Sequence, residues 1–177
     1  MKSKIISISA ISAGLIAIVL VIGAYFEVVD LSSLVISSIF VCMPLYYNSY
    51  KGSVLGYLAG GVISFMCSGF NIMSVVFPAY FAFFGIFPII RCKMIEKNLR
   101  LWLRHAICLV WFIGVSFGMF FYYTQIMGLD FDGLPTLITN YVLYIIPVVA
   151  VIVYIIYDKF IAVSRFLMDK YLRKIVK

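Results

Sequence analysis

Residues 52–90 read GSVLGYLAGGVISFMCSGFNIMSVVFPAYFAFFGIFPII, 39 positions without a single charge. As one straight helix rising 1.5 Å per residue, the run would reach roughly 58 Å, about twice the ~30 Å hydrocarbon core of a bilayer. It is therefore read as a segment that folds back on itself. The turn residues stand at its middle, in Ser68-Gly69-Phe70-Asn71, where Gly and Asn accept the backbone of a tight reversal. The second half enters at Pro78, whose missing N–H costs little in a first helical turn. Gly85 and Pro88 mark a close-packed or kinked place near its far end, before the run stops at Arg91.

The rest of the chain fits that hairpin. Of its 177 residues 65% are hydrophobic and 12% charged, whereas soluble domains are nearer half apolar and about a quarter charged. The apolar runs lack the period-two alternation of a membrane barrel strand. Four more uncharged runs, Ile5–Phe26, Leu31–Tyr50, His105–Leu129 and Gly133–Tyr157, are each long enough for one helical crossing. The expectation is an all-α polytopic membrane protein, a single domain over 1–177. Its six transmembrane helices fall at about 5–26, 31–50, 52–68, 73–90, 105–127 and 135–157.

Charge gives an independent reading of topology. With the amino terminus inside, six crossings put four segments in the cytoplasm, holding 2, 1, 5 and 6 of the 14 Lys and Arg. The external loops keep only Glu27, Asp30, Asp130 and Asp132. That is the positive-inside pattern, with both termini cytoplasmic. A five-crossing chain would leave one of the two large basic clusters outside. Met1-Lys-Ser-Lys before an apolar run imitates a secretory signal, but the run is long for a signal core and Ile22-Gly23-Ala24 is a poor cleavage site, so a retained first helix is expected. Residues 91–104 and 158–177 read as basic amphipathic cytoplasmic segments, the first with Ile95, Leu99 and Trp102 on one face. The net charge of +7 suits anionic lipid and partner proteins, and no nucleic acid is needed to explain it.

No catalytic constellation is present. Walker A, H-E-x-x-H and G-x-S-x-G motifs are missing. No acid or base lies deep in a predicted span, where an ion-coupled transporter places one. Cys42, Cys67, Cys92 and Cys108 form no C-x-x-C pair, and His105, the one histidine, sits at a span boundary. The expectation is a non-enzyme without metal or cofactor. What remains is a polar and aromatic collar at the predicted external ends. Asn71, Tyr122, Gln125, Asn140 and Tyr144 are the candidate binding residues, since rings supply area and amides supply orientation in small-molecule pockets. An interfacial tyrosine belt has the same composition.

Two helices carry small-residue stripes. Gly52, Gly56 and Gly60 recur in the third span, as internal packing would require. In the first span, Ala10, Ala13, Gly14 and Ala17 lie within AISAGLIA. Such faces let helices approach closely in lipid, and here a partner helix would want the same surface.

Together these features resemble the substrate-binding S components of energy-coupling factor transporters. The resemblance implies that AISAGLIA docks on a transmembrane coupling subunit driven by two separate ATPases. It also implies an outward pocket among helices 4 to 6 for a small vitamin-like or nucleobase-like compound, in a bacterial plasma membrane. More closely, VVDLSSLVISS (28–38), FFGIFPIIRCKMIEK (83–97) and LRLWLRH (99–105) resemble an uncharacterised set of Firmicutes integral membrane proteins with an S-component-like layout. Rod-shape morphogenesis membrane proteins, which bind partners rather than metabolites, share a similar six-helix layout.

Overall fold

The computed structural model describes residues 2–70, 74–126, 128 and 136–175. Among these residues the chain is wholly helical, without strands. We number the helices α1 (Lys2–Tyr25), α2 (Asp30–Tyr46), α3 (Tyr50–Cys67), α4 (Val76–Glu96), α5 (Leu101–Phe121) and α6 (Thr136–Ile175). Four of them, α1, α4, α5 and α6, contain stretches long and apolar enough to cross a membrane. The chain divides into two compact units, residues 1–99 with 159–177 and residues 100–158.

In the first unit the 39-residue run does turn back. Gly69 and Phe70 take left-handed backbone with φ of 70° and 57°, and the Phe70 N–H donates to the Phe65 carbonyl at 3.0 Å. Beyond the turn, α3 and α4 pair with a fixed register. A side chain added at Gly85 would meet the Tyr57 ring, one at Gly61 would meet Phe81 at 2.6 Å, and the rings of Phe65 and Phe77 stand 5.3 Å apart. Each pair is centred on residue 71, the signature of an antiparallel hairpin about that turn.

The other contacts of this unit give alternating directions. Gly52 lies over Ile5 and Ser9, Gly56 over Ser9 and Ser12, and Gly60 over Ala13 and Ile16, so α1 and α3 are parallel. Ser12 meets Phe40, and Gly23 meets Ser33, so α1 and α2 are antiparallel. The glycines at every fourth position of α3 are what allow the close approach to α1. The tight connection from α2 to α3 uses Asn48 at φ 53°, after which Ser49 Oγ accepts the Gly52 N–H at 3.2 Å as the α3 cap.

Two of these helices carry broken backbone ladders, and hydroxyls from neighbouring helices mend them. Pro44 inside α2 has no N–H for the Phe40 carbonyl, four residues earlier. Ser12 of α1 donates to that carbonyl at 2.6 Å, and Ser53 of α3 donates to the next one, Val41, at 2.7 Å. In α4, residues Tyr80–Phe84 form a π turn. The Gly85 N–H donates to the Tyr80 carbonyl at 2.9 Å, not to that of Phe81 as an α-helix requires. Tyr57 Oη donates to the Phe81 carbonyl at 2.8 Å, and Tyr80 Oη returns a bond to the Tyr57 carbonyl at 3.2 Å.

Tyr57→Phe keeps the ring but removes the proton that reaches Phe81. We expect it to lower stability by about 1–2 kcal/mol, read by unfolding in mixed detergent micelles. A stability equal to that of the unaltered protein would show that Phe81 is served otherwise.

One expected element has a different form. Residues 91–104 are not one amphipathic helix. α4 continues to Glu96, Asn98 turns the chain at φ 51°, and α5 starts at Leu101. Trp102 is 80% exposed in the first turn of α5, whereas Ile95 and Leu99 are half-buried. The side chains of 165–177, where the second amphipathic segment falls, lie outside the described residues.

Candidate functional site

The candidate docking stripe of α1 is divided by its own bundle. At about 100° per residue, Ala10, Ala13, Gly14 and Ala17 together span roughly 100° of the helix circumference. Ala13 and Ala17 fall at one margin and are buried, whereas Ala10 and Gly14 fall at the other and are exposed. Gly60 of α3 takes the contact with Ala13. At Gly14 a side chain would meet nothing within 4 Å.

Beside this open margin runs a groove of about 420 Å³ between α1 and α3. Ile5, Ile6 and Leu55 rise along it, Ser9, Gly52 and Gly56 lie in it, and Ser49 and Lys51 stand at one end. The groove follows from the sequence locally. Gly52 and Gly56, four residues apart, leave the trough without side chains, while isoleucine and leucine on either side keep its walls. Sequence reading finds both glycine and alanine stripes but not the groove, because Ile5, Ile6 and Leu55 look like any other apolar residues of a span.

The external collar lies in the second unit, apart from Asn71. Tyr122, half-buried, stands edge-on to Tyr123 with ring centres 5.4 Å apart, on a π turn, Tyr122–Ile126, that ends α5. Thr124 Oγ1 donates back to the Phe120 carbonyl at 3.0 Å. Gln125 is exposed, and Tyr144 is 73% exposed beside Tyr141, their ring centres 6.4 Å apart. Asn71 and the side chain of Asn140 lie outside the described residues.

One polar pair in this unit escapes sequence reading. His105 Nδ1 lies 2.9 Å from Tyr154 Oη and joins α5 to α6. Tyr154 is buried, and its ring also faces Phe112. Nothing in the sequence signals the pairing, since the two residues are 49 positions apart and each sits in an apolar run. A shallow apolar recess of about 590 Å³ along α5 includes Trp111 and Gly114.

Chemically, the described residues offer hydrogen bonding, ring stacking and apolar contact. Among them no group of three His, Cys, Asp or Glu comes together, and none of the four cysteines is in a disulfide. Comparison with protein-family models, with curated proteins and with solved structures gives no match to this chain.

Proposed function

We propose that the chain is a membrane subunit of the S-component type, crossing a bacterial plasma membrane six times with its basic segments on the cytoplasmic face. It captures a small vitamin-like or nucleobase-like compound and hands it to a transmembrane coupling subunit driven by two separate ATPases. It performs no bond chemistry itself. The observation that carries this reading is the open margin of α1, where Ala10 and Gly14 remain uncovered although Ala13 and Ala17, the rest of the stripe, are buried. A helix with bulky side chains can seat there, because small residues let the backbones approach closely.

Six crossings are supported by helix lengths and by the alternating directions of α1 to α4. α2 and α3 have 17 and 18 residues, about 26–27 Å each, near the ~30 Å of the hydrocarbon core. The distribution of all 14 Lys and Arg supports the same orientation. For the ligand, Tyr122, Gln125, Asn140 and Tyr144, with Asn71, are the proposed binding residues.

The docking test replaces Ala10 and Gly14 by tryptophan, both being exposed, and co-expresses the tagged chain with the coupling subunit and ATPases of its own source. Association and uptake should be lost while the melting temperature is kept. Intact association would refute docking at this margin. The capture test heats the purified protein with a panel of vitamins and nucleobases. A true ligand at 100 times its Kd should raise the melting temperature by roughly 5–10 °C, and Asn140→Ala should remove that gain. A flat panel with intact docking would favour a second reading, a six-helix scaffold that binds partners only. The outward exposure of Gln125 and Tyr144 is what favours it.

A further inference from the structure

We propose that the groove between α1 and α3 holds one acyl chain of an anionic phospholipid, with Lys51 receiving its headgroup. The groove runs along α1 from Ile5 to Ala13, roughly 12 Å of helix, which is close to the ~15 Å depth of hydrocarbon in one leaflet. Its lining is apolar along this length, so a chain fits where a polar segment would be desolvated without partners. At one end the character changes. Lys51 and Ser49 border the opening, at the level of Ile5, which lies against Gly52.

Lys51 is exposed. Positive charge at the mouth of an apolar trough matches the two halves of an anionic lipid. A zwitterionic lipid would bring a second cation against Lys51. The partner helix proposed above shares Ala10 with this groove, so docking there displaces the chain. The inference requires only that α1 and α3 lie in a bilayer, and it does not depend on substrate capture, so the two readings fail separately.

Native mass spectrometry of the full chain, purified in detergent and supplied with dioleoyl phosphatidylglycerol or dioleoyl phosphatidylcholine, tests the inference. One phosphatidylglycerol should be retained in preference. Lys51→Gln should weaken it by about fivefold. Ala59→Phe, at an exposed position on the groove wall, should remove that one equivalent without lowering the melting temperature. Millimolar glycerol 1-phosphate should leave it bound, since the chain supplies much of the affinity. Equal retention of the two lipids, retention unaffected by Ala59→Phe, or release by glycerol 1-phosphate would each overturn the assignment.

Discussion

Gly60→Val should unseat α1 from α3 and cost roughly 3 kcal/mol or more. A β-carbon at Gly60 would stand 2.7 Å from Ile16 Cγ2, 2.8 Å from Ile16 Cβ and 3.0 Å from the Ala13 carbonyl oxygen. None of these atoms can yield on its own. Ile16 is fully buried, its branch point is fixed to the helix backbone, and the carbonyl is backbone itself. The helices must therefore separate, and the contacts one and two turns back, at Gly56 and Gly52, loosen with them. The effect should be graded along the stripe. At Gly56 the nearest atoms stand at 3.4 Å, so Gly56→Ala should be far milder than Gly60→Ala. Gly14→Val, with nothing within 4 Å, should change stability by less than about 0.5 kcal/mol. Detergent unfolding of these four variants is the measurement, and a Gly60→Val protein as stable as Gly14→Val would contradict the packing described.

The second large effect is a coupling. Ser12→Ala leaves the Phe40 carbonyl, already deprived of a donor by Pro44, without the Ser12 proton inside the bundle. The expected loss is about 1–3 kcal/mol, the cost of a buried group without its partner. In a Pro44→Ala background the new N–H at position 44 can serve Phe40 itself, so removing Ser12 should then cost about 0.5 kcal/mol or less. A difference of at least ~1 kcal/mol between the two backgrounds is the expected double-mutant result. Equal costs would mean that Ser12 acts through packing alone. Proline is tolerated in an apolar helix because neighbouring serines re-satisfy freed carbonyls, and here the serine that serves the freed Phe40 carbonyl, Ser12, is supplied by another helix.

The hairpin was legible in the sequence because length, turn chemistry and charge all act locally. An uncharged run of 39 residues is too long for one crossing, and Ser68-Gly69-Phe70-Asn71 offers the one cluster of turn residues within it. The α3 glycines were legible for a similar reason, since a fixed spacing can be read along a chain. The cross-helix repairs were not. Ser12 and Phe40 are 28 positions apart, and Tyr57 and Phe81 are 24 apart, so no local pattern joins them. The π turn has no marker of its own in Tyr80–Phe84, and it shows only when Gly85 is set against the Tyr57 ring. On α1 the stripe was visible, but which half of it is covered depends on where α3 lies. For the collar, residue types proposed a set whose described members occupy the end of α5 and the start of α6, and spacing could not say whether they converge.

In the proposed topology residues 52–90 cross outward and return. Side-specific labelling tests it most directly, with single cysteines replacing Phe26, Lys51, Val75, Lys97, Gln125 and Val163 in turn, after Cys42, Cys67, Cys92 and Cys108 are changed to serine. All six positions are exposed. A membrane-impermeant maleimide should label positions 26, 75 and 125 in intact cells, and positions 51, 97 and 163 only in inverted vesicles. Labelling of positions 51 and 97 from opposite sides of the membrane would contradict the account.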